Sequence, residues 1–249
     1  MKKLLFLILV IIPLMAIADT KTITWYNGDS VYDTTTCTIG NDLILPATPT
    51  KYGHTFQGWK TAYTPIAYIE STGTQYFCTN IHPSLTMVSQ IGIMITAYNG
   101  IGVYGFYNSP NVQYRVFCNA DGGFYFDIGK NNTYSRLISP NNFQTNVRYD
   151  YEIGNMYVKD LNTNTELQRL DSVTSFGWNP QNYNLCVFSN RTPYQSGRIY
   201  YLKIYDNDIL VLDLIPVVDK NGVACMFDRV SGTYFYNAGT GSFIAGPAI

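Results

Sequence analysis

From residue 19 onward the chain is written largely with a period of two. Val147, Tyr149, Tyr151 and Ile153 fall on one side, with Arg148, Asp150 and Glu152 between them. That is the pattern of a strand with one dry and one wet face. Ile91, Ile93 and Ile95 share a face, as do Leu210, Leu212 and Leu214. Turn residues punctuate these runs at Asn27-Gly28, Asn99-Gly100, Asp121-Gly122-Gly123, Asp206-Asn207-Asp208 and Asn221-Gly222. These residue types accept the positive φ of tight hairpins. Only Asn164 to Asp171 has the makings of a short helix. Many strands at short spacing with no helices between them exclude a parallel α/β fold and predict an all-β antiparallel sandwich or barrel. The 15% aromatic content, with 22 Tyr, suits pleated half-buried surfaces, and 46% hydrophobic residues can fill a core.

The start of the chain has the form of an export signal. Lys2 and Lys3 precede an apolar run from Leu4 to Met15, interrupted by Pro13, and Ala16-Ile17-Ala18 fits a small-x-small cleavage site. The run is shorter than the ~20 residues that cross hydrocarbon. The expectation is a signal peptide over residues 1–18 and a mature chain from Asp19 with no membrane span. Such a chain would be exported to the periplasm, the cell envelope or the extracellular space. Removing the signal takes Lys2 and Lys3 from the 16 basic residues and leaves the 17 acidic ones, a formal charge of −3. Nothing in that balance supports a phosphate-neutralising surface, so nucleic acid is not an expected partner.

Export permits disulfides, and the chain carries Cys37, Cys78, Cys118, Cys186 and Cys225, an odd number. Their pairing is open. Cys118 and Cys186 sit inside apolar runs and read as small buried hydrophobes. With two distant histidines, His54 and His82, and no Cys-x-x-Cys, a zinc site is not expected.

A boundary falls near Lys60 to Pro65, where a short Pro-containing joint separates two stretches. The first carries Ile23-Thr24-Trp25-Tyr26-Asn27-Gly28, then Leu45-Pro46-Ala47-Thr48-Pro49-Thr50-Lys51-Tyr52-Gly53-His54-Thr55-Phe56-Gln57-Gly58-Trp59. It resembles an internalin-type B-repeat (Listeria–Bacteroides repeat). The resemblance implies a small β-grasp-like module over residues 19–62, of a kind found in bacterial surface and envelope proteins. So short a segment offers Phe56 and Trp59 little partner surface, and it is expected to dock on the larger domain or to complete itself against another chain.

The second stretch opens with Tyr68-Ile69-Glu70-Ser71-Thr72-Gly73-Thr74-Gln75-Tyr76. It closes with Arg198-Ile199-Tyr200-Tyr201-Leu202-Lys203-Ile204-Tyr205, Leu212-Asp213-Leu214-Ile215-Pro216-Val217, and a run from Met226 to Phe243. It resembles the concanavalin A-like lectin/glucanase domains of the laminin-G-like type. The implied fold is an antiparallel jelly-roll sandwich over residues 66–249, with both ends side by side in one sheet.

Catalysis on such a sandwich needs paired carboxylates on one strand face. The chain has three Glu, at 70, 152 and 166, none in such a pattern, and Asp150 with Glu152 is the nearest approach. No Gly-x-Ser-x-Gly elbow or phosphate-binding Gly loop is present. The chain reads as non-enzymatic, with a glycoside hydrolase disfavoured. No cofactor is expected. Calcium is the one option, through Asp206-Asn207-Asp208 or Asp219 with Asn221, although each lies where a hairpin already calls for Asp and Asn. Sugar recognition needs flat aromatics beside planar hydrogen-bonding side chains. Those types gather in the middle of the chain as Tyr98, Tyr104, Tyr107, Arg115, Tyr125, Trp178, Asn182, Asn190 and Arg191. The leading expectation is a glycan-binding or adhesive envelope or surface protein. Its partner would be carbohydrate or another extracellular surface protein. The alternative is a structural envelope or phage-appendage component with no small ligand.

Overall fold

The computed structural model describes residues 20–27, 30–38, 41–52, 55–56, 58, 62–97, 102–119, 121–139, 143–188 and 195–249. The chain divides into two compact units, Met1–Lys60 and Thr61–Ile249. In the first, β1 (Thr20–Asn27) and β2 (Ser30–Thr38) form an antiparallel hairpin. Both strands are Thr-rich and mostly exposed, which suits strand propensity without demanding a core. Trp25 is its buried anchor, donating from Nε1 to Thr35 Oγ1 at 2.9 Å. Phe56 is half-buried, and Trp59, the other expected anchor, lies outside the described residues.

The second unit is an antiparallel sandwich. Among the described residues its smaller sheet has six strands, β5 (Phe77–Cys78), β7 (Gly102–Ser109), β8 (Val112–Cys118), β9 (Phe124–Lys130), β10 (Thr133–Ser139) and β14 (Cys186–Val187), in the order β10-β9-β8-β7-β14-β5. The larger sheet is built on β6 (Met87–Ile95), β15 (Ser196–Asp206) and β16 (Ile209–Asp219). Outward from β6 run β11 (Tyr149–Gly154), β12 (Tyr157–Asp160) and β13 (Thr165–Arg169). Outward from β16 run β17 (Ala224–Asp228) and β18 (Tyr234–Phe235). β3 (Tyr63–Pro65) pairs with β16, β4 (Ile69–Thr72) with β15, and β19 (Ile244–Ala245) with β4. The two ends of the unit therefore meet in one sheet, and the Tyr76 and Thr74 carbonyls also accept from the Ala238 and Thr240 amides.

The core lies between the sheets. Ile91, Ile93, Leu202 and Leu214 from the larger sheet meet Tyr114, Val116, Phe124 and Phe126 from the smaller. Rings also cross the gap, as in the edge contact of Phe124 with Tyr151, centroids 5.0 Å apart. Among the described residues, the only helical element is a 3-10 turn at Pro180–Asn182, and no helix is long and apolar enough to cross a membrane.

Three local expectations need correction. Asn164 to Asp171 is not helical, because Thr165–Arg169 is claimed by cross-strand pairing as β13. There Val158 faces Gln168 and Lys159 faces Glu166, so Leu167 is the extra residue of a bulge and packs on the core. The alternation of Leu210, Leu212 and Leu214 is broken in the same way. Ile204 pairs with Leu212 and Tyr205 with Leu210, which leaves Val211 as a bulge and only Leu212 and Leu214 in the core. Cys186 is not a free buried hydrophobe. It is disulfide-bonded to Cys78, its cross-strand partner between β14 and β5. Cys118 and Cys225 are buried and free, and burial pushes both thiols up.

Candidate functional site: an arginine–aromatic sheet face

The outward side of β7 to β10 collects a cluster that only strand register could assemble. Arg115 on β8 lies opposite Asp127 on β9, which lies opposite Arg136 on β10. One step along, Phe117 faces Tyr125, and Tyr125 faces Ile138. On the other side, Tyr107 faces Gln113, and Tyr134 faces Gly129. The alternate residues Tyr104, Phe106, Tyr114, Phe126 and Leu137 point into the core.

Asp127 is the hub and is wholly buried, at 0% side-chain exposure. Arg136 binds it bidentately, Nε to Oδ1 and Nη2 to Oδ2, both at 2.8 Å. Arg115 Nη2 reaches Oδ2 at 3.4 Å. The Arg115 side chain is 11% exposed and its guanidinium lies over the Tyr107 and Phe117 rings, 4.4 and 4.0 Å from their centroids. The Arg136 side chain is 35% exposed and its guanidinium lies 4.9–5.5 Å from the centroids of Phe117, Tyr125 and Tyr134. Burial lowers the Arg115 pKa against the pull of Asp127, while the hydrogen bonds to Asp127 raise that of Arg136. Both stay charged, since arginine starts so far above neutrality. Tyr125 stacks on Phe117 at 5.0 Å and donates its hydroxyl to Asp121, which raises the phenol and lowers the carboxyl.

Gly105, opposite Arg115, sits at φ +113°, and a Cβ there would lie 2.1 Å from the Tyr114 carbonyl oxygen. Only glycine lets β7 approach β8 this closely. The outcome is a face whose donors are oriented beforehand. Tyr134 and Ile138 are exposed at its edge, and Arg136 is reachable from solvent. The exposed Tyr134 ring beside the Arg136 guanidinium can cover the apolar side of a sugar ring and donate to its hydroxyls.

Of the residues singled out in the sequence, Tyr107, Arg115 and Tyr125 come together here. Tyr104 does not. It is fully buried, shares a hydrogen bond with Ser89 Oγ and donates to Met87 Sδ, and desolvation raises its phenol. Trp178 is elsewhere, packed edge-on against Phe106 and donating to the Gly129 carbonyl at 3.0 Å. Asn182 is exposed in the 3-10 turn. Tyr98, Asn190 and Arg191 lie outside the described residues. Sequence reasoning missed Phe117, Asp127, Tyr134, Arg136 and Ile138. The alternation Arg115/Phe117, Tyr125/Asp127 and Tyr134/Arg136/Ile138 was the available signal, but it becomes a cluster only once the hairpin registers are known.

The carboxylates of the larger sheet are engaged within it. Asp150 is held by Arg148 at 2.8 and 3.0 Å, and Glu152 accepts from Gln90 and Tyr157 at 3.0 and 3.2 Å. At the calcium candidates, Asn207 and Asp208 both have positive φ, as a two-residue hairpin requires. Asp219 accepts from the amides of Asn221 and Val223 and from the Tyr236 hydroxyl. Among the described residues, no group of three or more His, Cys, Asp or Glu is placed to hold a metal.

No protein-family model and no curated protein matches this chain. Among solved structures, full-length tailspike protein 2 (TSP2, ORF211) from Escherichia coli O157:H7 bacteriophage CAB120 is similar at a TM-score of 0.36 and 13% identity. That match covers 60% of this chain and 27% of the tailspike chain.

Proposed function

We propose that this chain is an exported, non-enzymatic surface protein that recognises glycan through the arginine–aromatic face of its smaller sheet. The observation that carries the reading is the pair of guanidiniums 4.0–5.3 Å from the ring centroids of Tyr107, Phe117, Tyr125 and Tyr134, around one buried carboxylate. The signal-like start of the sequence supports export, and the absence of paired-carboxylate spacing supports a binding role over hydrolysis. The concanavalin A-like and B-repeat resemblances belong to the same reading, with the small module as a display or docking element.

One observation favours a purely structural part instead. The centre of the face is closed on itself, with Phe117 and Tyr125 nearly buried. A glycan array with the chain from Asp19, with and without calcium, decides between the two. Binding that Arg136→Ala or Tyr134→Ala weakens about tenfold or more supports recognition. An array with no signal supports the structural part. Release of reducing ends from any polysaccharide contradicts the non-enzymatic reading.

A further inference from the structure

A second feature lies where the 79–86 loop, the 3-10 turn and the β15–β16 hairpin converge on a cleft of about 250 Å³. Its apolar lining is Ile81, Met87, Ile204 and Val211, and its polar lining is Asn80, His82, Gln181 and Asp206. Val211 is the bulge residue of β16, and bulges commonly re-aim a side chain beside a site. The polar groups are held in place. His82 Nδ1 lies 3.0 Å from the Tyr183 carbonyl. A carbonyl only accepts, so Nδ1 carries the proton and Nε2 remains for another partner. Asp206 Oδ1 accepts from Thr86 Oγ1, which in turn lies 2.7 Å from Ser84 Oγ. This leaves Asp206 Oδ2 as an oriented acceptor. Asn80 and Gln181 are exposed amides that can both donate and accept.

We propose that this cleft is a binding site, separate from the arginine–aromatic face, for a single neutral pyranose or a polyhydroxylated ring of similar size. The volume, below the roughly 300–1,000 Å³ of sites for drug-sized molecules, matches a single ring. The chemistry decides the rest. An apolar floor suits the C–H face of a ring, and acceptors with amide donors suit hydroxyls. The Asp206 carboxylate, with no Lys or Arg among the described lining residues, disfavours an anionic sugar.

The test is saturation-transfer NMR on the chain from Asp19. The probes are the methyl pyranosides of glucose, galactose, mannose and N-acetylglucosamine, with methyl glucuronide as the anionic control. At least one neutral pyranoside should bind, and the glucuronide should bind more weakly. Val211→Trp, which fills the cleft, should weaken the neutral ligand about tenfold or more. Gln181→Ala, an exposed change outside the core, should weaken it measurably and covers the case in which Val211→Trp does not fold. The proposal is overturned if no neutral pyranoside binds, if Gln181→Ala or a folded Val211→Trp binds as the parent does, or if the glucuronide binds best.

Discussion

The two outer faces of the sandwich use the same residue types to different ends. On the larger sheet three arginines each have their own carboxylate and their own tyrosine. Arg148 pairs with Asp150 over Tyr200, Arg198 with Glu70 over Tyr68, and Arg169 with Glu166 over Tyr157. On the smaller sheet, Arg115 and Arg136 share Asp127, and the carboxylate is buried beneath them. One-to-one pairs at a wet surface cancel and are screened, so they do little. Two cations share one buried anion beside a cluster of rings, and the second carboxylate, Asp121, is held at the margin by the Tyr125 hydroxyl. Stoichiometry and burial, more than composition, separate a surface that is merely solvated from one that can recognise something.

Four measurements probe the two sheets. The largest concerns the smaller sheet's edge. β5 and β14 are two residues each, too short to hold by their ladder, and the Cys78–Cys186 bond closes a separation of 108 residues. Replacing both cysteines by Ala should cost about 4–5 kcal/mol in denaturant unfolding. A loss under ~1 kcal/mol would show that the sheet needs no staple. Next, Asp127→Ala strands two guanidiniums and should cost on the order of 3–4 kcal/mol. The matched change on the larger sheet, Asp150→Ala, should cost about 0–1 kcal/mol, because Arg148 is 47% exposed. Equal losses at the two sites would erase the contrast.

The smallest effect is one of pH. At Asp219 burial works to raise the carboxyl, but hydrogen bonds from the Val223 amide, Tyr236 hydroxyl and Asn221 amide outweigh it and hold it low. A carboxyl depressed in the folded state lends stability above its unfolded pKa of about 4 and loses it as pH falls further. Thermal melts from about pH 5 down to 3 should therefore show a shallower acid limb for Asp219→Asn than for the parent chain. Superimposed limbs would mean that this carboxyl is not coupled to folding.

Much of the fold was legible because burial on one face writes a period of two into the strands. Ile91, Ile93 and Ile95 are all in the core, as are Tyr151 and Ile153. The hairpin at Asn207-Asp208 was legible because few residue types tolerate two successive positive φ values. Bulges were not legible. Val211 and Leu167 slip the phase by one residue, and nothing local announces it. The site was half legible. Strand parity alone separates Tyr104 from Tyr107, three residues apart and on opposite faces. The meeting of Arg115, Asp127 and Arg136 depends on two hairpin registers, and the pairing of Cys78 with Cys186 on a contact across 108 residues. Neither is a local property of the sequence.

On the proposed function, the arginine–aromatic face of the smaller sheet recognises glycan and the charge-paired face of the larger sheet does not. The decisive comparison is glycan-array binding by the chain from Asp19 between Arg136→Ala and Arg148→Ala at matched folding. Arg136→Ala should lose about tenfold or more in apparent affinity while Arg148→Ala binds as the parent does. Loss on Arg148→Ala with Arg136→Ala unaffected, or no glycan bound by the parent chain, would contradict it.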